Sequence, residues 1–339
     1  MSEAETTAQG RRGWQRAAGR LGVHVLRASL IVSPRPITLL LRREFAKSGA
    51  SRAERLRPLA PEPIQVTCDQ TYGPDPDCRF DVYTPHEGAV EGNRLPVLMW
   101  VHGGAFVGGS KDEIDYYFRA VAASGFCVVA IGYSLAPEST YPTPVRQALA
   151  ALHHIQSQAE RLHADPKRIM LAGDSAGSHI SAQLAAAITN PPYARQIGLD
   201  VRISPDQLRA VVLCCGIYDF VAAATNPTMK TFMLACGWAY SGVKDFLDDP
   251  YFVATTAVGN NITPAFPPAF LTVGNVDPLR TQTEGLLTAL QRAGVPTESL
   301  TYPAEHQPPL SHEYQFDLEL ADARVALERL TDFLHRNAD

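Results

Sequence analysis

Gly173-Asp174-Ser175-Ala176-Gly177 sets a serine between two glycines in the pattern G-x-S-x-G, and its surroundings decide what that serine can do. The apolar run Arg168-Ile169-Met170-Leu171-Ala172 precedes it, and Ser178 to Ile188, rich in Ala and Leu, reads as the helix that follows. Strand, sharp turn and helix form the context that exposes a serine hydroxyl as a nucleophile. The flanking glycines are needed because the turn brings backbone too close for a Cβ. A serine hydroxyl is a weak nucleophile near neutral pH and must pass its proton to a base within hydrogen-bond reach, so the chain must also supply a histidine. His102-Gly103-Gly104-Ala105-Phe106 follows a second apolar run ending at Val101, which puts it at the same sheet edge in a doubly wound fold. Its paired glycines let N–H groups turn inward, and we assign those of Gly103, Gly104 and Ala176 as donors to a developing oxyanion. His102 itself reads as a residue that orients this loop.

Short β-rich runs at 64–68, 79–84, 96–102, 126–132, 168–173, 209–215, 268–274 and 298–302 alternate with helical patterns. This is the signature of an α/β protein: a mostly parallel eight-stranded sheet with helices on both faces. No helix separates the first two runs, and the turn between them is rich in Pro, Gly and Asp, so they should pair antiparallel. The stretch 219–256 breaks the alternation with Phe220, Met229, Phe232, Met233, Trp238, Tyr240 and Phe246, and reads as a helical cap inserted above the sheet. Ahead of the sheet, a helix is expected from Ile37 to about Lys47, then a linker at Pro58, Pro61 and Pro63. The division is therefore an N-terminal helical cap or anchor segment, 1–62, and a catalytic domain, 63–339.

At 339 residues and 45% hydrophobic content the chain can bury a large core, which excludes a disordered or fibrous protein. A net charge of −5 gives no reason to expect nucleic acid, but the charge is uneven. Residues 1–57 hold twelve Lys/Arg against four Asp/Glu, a surplus of eight; the remainder holds 18 against 31, a deficit of thirteen. Trp14, Ala18, Leu21, Val25 and Ala28 recur at helical spacing beside Arg12, Arg16, Arg20 and Arg27, a basic amphipathic helix. One reading makes residues 12–47 a lid or a peripheral membrane contact; the other packs them on the acidic body of the same chain. No stretch reads as a signal peptide or a membrane span, and the expected setting is cytoplasmic, with or without membrane association. Six cysteines fit a reducing compartment and mostly buried thiols, although a Cys68–Cys78 bridge across the turn at 72–77 is geometrically open. Cys214 and Cys215 should face opposite sides of a strand, which excludes a shared metal; no other metal-ligand spacing and no cofactor motif stands out. A homo-oligomer is left open.

Together, His102-Gly103-Gly104-Ala105-Phe106-Val107-Gly108-Gly109-Ser110, Tyr133-Ser134-Leu135-Ala136-Pro137-Glu138, Gly173-Asp174-Ser175-Ala176-Gly177 and Asp277-Pro278-Leu279-Arg280 resemble the hormone-sensitive-lipase-like family of α/β-hydrolases, bacterial esterases in particular. The resemblance covers about residues 63–337 and implies the α/β-hydrolase fold. It also implies a small-molecule ester substrate, no cofactor, and Asp277 as the acid of a Ser–His–Asp triad. Asp277 follows a predicted strand and so lies at the same edge as Ser175; Asp174 and Asp219 are the competing acids. The family places its histidine about thirty residues after the acid, which leaves His312, 35 residues on, and His306, 29 residues on. His312, followed by Glu313-Tyr314 and then the last helix, is the preferred base, with His306 the alternative; Glu313 stands where the family has a small residue. The expected function is a serine carboxylesterase working through an acyl-enzyme on short to medium acyl or aryl esters. A non-catalytic ligand-binding protein of the same fold, and an amidase or lactonase using the same triad, are the alternatives.

Overall fold

The computed structural model describes residues 32–86 and 94–338. In chain order the elements are α1 (Arg35–Leu56), β1 (Ile64–Thr71), β2 (Arg79–Pro85), β3 (Leu95–Val101), α2 (Asp115–Ala123), β4 (Cys127–Ile131), α3 (Thr143–Ser157), β5 (Ala164–Asp174), α4 (Ser175–Thr189) and α5 (Pro191–Gln196). They continue with β6 (Leu208–Cys214), α6 (Phe220–Ala224), α7 (Lys230–Ser241), α8 (Pro250–Thr256), β7 (Ala269–Thr272), α9 (Arg280–Arg292), β8 (Thr297–Leu300) and α10 (Ala321–Ala338). The strands form one eight-stranded sheet in the order β1-β2-β4-β3-β5-β6-β7-β8. β2 runs antiparallel to both its neighbours, and every pair from β4 to β8 is parallel.

Continuous apolar runs at the centre follow from burial on two faces. In β3, Val97, Met99 and Val101 enter one core cluster while Leu98 and Trp100 enter the other, all fully buried. α4 lies against the sheet with every residue from Ser175 to Thr189 buried, which its Ala, Ser and Gly content permits.

Two expectations change. α1 continues past Lys47 to Leu56, because Ala53 and Leu56 are buried beneath it and Gly49 sits against the Glu113 side chain. Cys215 lies just past β6 with φ 41°, so strand alternation does not apply to it, and it shares a core cluster with Cys214. Cys68 and Cys78 are both free. The amphipathic stretch at 12–28 lies outside the described residues. The stretch 219–256 holds α6, α7 and α8, and α7 packs against α1.

Candidate active site

β5 ends at Asp174 and α4 begins at Ser175, whose φ of 50° is one that a residue with a Cβ rarely adopts. The turn is held tight by its glycines. A Cβ on Gly177 would strike the Val101 carbonyl, and one on Gly173 would strike the backbone of Gly177.

The loop after β8 brings His312 to this turn. Its Nε2 is 3.0 Å from Ser175 Oγ, and its Nδ1 is 2.8 Å from Asp277 Oδ2. Asp277, between β7 and α9, accepts the Leu279 N–H on its other oxygen at 2.7 Å. With Nδ1 donating to the carboxylate, the Nε2 lone pair faces the serine hydroxyl. Asn275 pins the same loop: its Oδ1 accepts the Leu310 N–H at 2.8 Å, and its Nδ2 donates to the carbonyls of Ala304 and His306. Burial disfavours the His312 imidazolium, but the Cys215 sulfur and the Asp277 carboxylate outweigh it, and His312 titrates well above the ordinary imidazole range. Burial also pushes the Cys215 thiol up, so the full negative charge beside His312 is that of Asp277.

His306 is not brought to Ser175. Its Nε2 faces Asp322 of α10 at 3.2 Å, and its ring lies against Tyr302. Of the competing acids, Asp219 caps α6 by accepting the Ala222 N–H, and Asp174 is buried behind the nucleophile turn.

One assignment is corrected. The Gly103 N–H, expected among the oxyanion donors, donates instead to Asp174 Oδ2 at 2.8 Å. Among the described residues no backbone hydrogen bond engages the N–H of Gly104 or Ala105, and both residues line the cavity over Ser175. Ala176, in the first turn of α4, has an N–H with no acceptor within its helix. His102 stacks on Tyr133 at 4.3 Å and holds the Gly103 carbonyl at 2.7 Å; burial pushes it down to about 4, so it is a neutral part of the loop frame.

The cavity encloses about 410 Å³. Phe45, Ser48 and Arg52 of α1 form one wall, Met229 and Phe232 another, and Leu279 completes the apolar side, while Glu113 and Glu313 face it with Arg52. Phe45 lies within the helix expected at 37–47, but Ser48 and Arg52 fall past the end that the sequence reading gave it. Among the described residues, Cys215, Asp277 and His312 bring three atoms able to ligate a metal within 4.8 Å of one another. Two of these carry the His312–Asp277 hydrogen bond, so a metal there would displace its proton.

A family profile described as alpha/beta hydrolase fold matches residues 98–307, and the chain belongs to that family. Its hormone-sensitive-lipase-like branch is the one that the motifs indicated. Carboxylesterase NlhH of Mycobacterium tuberculosis (strains CDC 1551 and H37Rv) is 32% identical over 244 residues, covering 70% of this chain and 71% of that protein. Esterase LipI of Mycobacterium tuberculosis (strain H37Rv) is 33% identical over 210 residues, 60% of this chain and 62% of that one. Among solved structures, esterase B from Lactobacillus rhamnosis superposes with a TM-score of 0.75 at 20% identity, covering 89% of this chain and 96% of that one, a likeness of fold. A bacterial heroin esterase superposes with a TM-score of 0.73 at 25% identity, covering 89% and 93%.

Proposed function

We propose that the chain is a serine carboxylesterase in which Ser175 attacks the ester carbonyl, His312 accepts its proton and Asp277 holds the imidazole and stabilises its charged form. The observation that carries this is the unbroken hydrogen-bond chain from Ser175 Oγ through both nitrogens of His312 to Asp277. The tetrahedral oxyanion is held by the N–H groups of Gly104, Ala105 and Ala176, with Ala105 in the place first given to Gly103. His312 then protonates the departing alcohol, and water, deprotonated by the same histidine, releases the acid from the acyl-enzyme. Carboxylesterase NlhH and esterase LipI support ester hydrolysis over amide hydrolysis, and the 3.0 Å contact of His312 with Ser175 weighs against a binding-only protein.

The test is hydrolysis of a p-nitrophenyl ester series by the full chain beside three variants. Ser175→Ala and His312→Ala each lower kcat by on the order of 10³-fold or more, whereas His306→Ala stays within about threefold of wild type. Loss in His306→Ala with retention in His312→Ala would move the base; no turnover of any ester by folded wild type would reject the reading.

We infer further that the basic stretch at 12–47 meets an anionic lipid surface. Val32, just ahead of α1, and Leu39 and Leu40 within it are exposed by 83%, 53% and 42% next to Arg35, Arg43 and Lys47. Among the described residues no helix is long and apolar enough to cross a membrane. Cosedimentation with phosphatidylglycerol vesicles that is unchanged by Leu39→Ser with Leu40→Ser, or absent in wild type, rejects this contact.

A further inference from the structure

Two carboxyl groups meet beneath the oxyanion loop, and neither belongs to the Ser175–His312–Asp277 chain. Asp174, directly before the nucleophile, is 4% exposed; its Oδ1 accepts the Trp100 indole N–H and its Oδ2 the Gly103 N–H, each at 2.8 Å. Glu313, directly after His312, has φ 60°, and its carboxyl lies within hydrogen-bond reach of Asp174. They meet where a Gly103 side chain would be: a Cβ there would collide with Asp174 Oδ2 and come within 3.1 Å of Glu313 Oε1. The second Glu313 oxygen accepts from Arg52 Nη1 at 2.8 Å, and the Arg52 guanidinium lies over the Phe316 ring, 5.3 Å from its centre.

Two ionised carboxylates in contact repel, whereas one proton between them makes a strong charge-assisted hydrogen bond. The single negative charge that remains is matched by Arg52. We propose that Asp174 and Glu313 share one proton under the charge of Arg52, and that this clamp holds the histidine loop, the nucleophile turn and the oxyanion loop in catalytic register. Arg52 and Glu313 are thus positioning residues that act through their neighbours, and the proposal rests on the Ser175–His312 reading above.

Burial and then the Glu313 charge push Asp174 up to about 8, so it holds the proton at neutral pH. Burial would raise Glu313 too, but Arg52 and His312 outweigh it and keep Glu313 below the usual carboxylate range. Other titratable groups face the cluster. Glu113, ahead of α2, is pushed up to about 7 by burial. Tyr116 and Tyr117 of α2, Tyr133 after β4, and Cys214 and Cys215 at the end of β6 are all raised by burial and stay neutral.

The test is the pH profile of kcat/KM for p-nitrophenyl butyrate, corrected against Ser175→Ala. Wild type should fall above about pH 8, where the shared proton leaves, by about tenfold for each further pH unit. Glu313→Gln, whose amide donates to Asp174 and has no proton to lose there, should show no such break. Arg52→Ala should lower kcat by about tenfold or more with KM little changed, and Arg52→Lys should recover part of it. A break that persists in Glu313→Gln, a break that disappears in Glu113→Gln instead, or a flat wild-type profile overturns the clamp. A merely structural Arg52 would lower the melting temperature and leave the split between kcat and KM unmoved. Absence of Ser175-dependent turnover rejects the esterase reading alone, since the shared proton has its own readout. A protonated-carboxyl infrared band, present in wild type at neutral pH and removed by Asp174→Asn, is expected; no difference between the two spectra overturns it.

Discussion

His312 must be neutral to take a proton from Ser175, yet folding favours its charged form. Because its folded value lies above the ordinary imidazole range, kcat/KM should fall as pH drops through that raised value, and the acid limb of the profile should sit above the limb of a free imidazole. Asp277→Asn should move that limb down and lower kcat by on the order of 10⁴-fold, since the amide no longer fixes the tautomer; an acid limb at the same pH in both proteins contradicts this. The sign for stability is the reverse. A base raised by folding contributes fully below its unfolded pKa, and that contribution is lost as pH rises through the folded value. Ser175 and Asp277 could be picked out because each follows a strand inside a motif, whereas His312 was preferred to His306 by its distance from the last helix, with Glu313 departing from the family's pattern. Gly103 was misread because its competing acceptor, Asp174, is 71 residues away, a tertiary fact with no local mark. Glu313 was noticed as a departure, but its partner Arg52 lies 261 residues earlier, and nothing in the sequence pairs them.

α1 is the element whose role was least legible. The sequence reading ended it near Lys47, although the small Gly49 beyond that point is what lets the helix approach Glu113. Its docking is polar as well as apolar. Arg42 Nε donates to the Val107 carbonyl at 2.7 Å, and Nη2 donates to the Ala136 carbonyl at 3.0 Å and to Glu138 at 2.7 Å. Arg42→Ala should therefore lower stability by roughly 1–3 kcal/mol, read as a lower urea midpoint, and should slow turnover because Val107 belongs to the oxyanion loop. An unchanged midpoint would mean that the apolar contacts of α1 dock it unaided. In the 219–256 stretch, Phe220, Tyr240, Phe246 and Phe252 pack on one another, with Phe220 and Phe252 centred 5.0 Å apart. The aromatic run legible in the sequence thus joins the core on one face of the sheet, with Tyr240 stacked on Phe106 at 3.8 Å, while Met229 and Phe232 turn to the cavity.

For the molecule as a whole, the eight strands and their parallel run were readable because burial on both faces leaves uninterrupted apolar segments, a signal that survives without knowledge of any contact. The cavity was not readable, since its walls come from α1, the 219–256 helices and loops scattered along the chain. At about 410 Å³ it sits near the small end of ligand pockets, which typically run from about 300 to 1,000 Å³. Across p-nitrophenyl esters, kcat/KM should peak at short acyl chains and fall for dodecanoate and palmitate. Phe232→Ala should shift that optimum to longer chains, and an optimum unmoved by it would place the acyl group elsewhere.

The family profile matches residues 98–307 of this chain, with α1 ahead of the match and His312 just after it. α1 comes ahead of every strand of the sheet and lends Phe45, Ser48 and Arg52 to the chamber over Ser175. A change confined to that one helix can therefore alter what the chamber accepts while Ser175, His312 and Asp277 stay where they are. Two proteins alike across 98–307 need not share a diet.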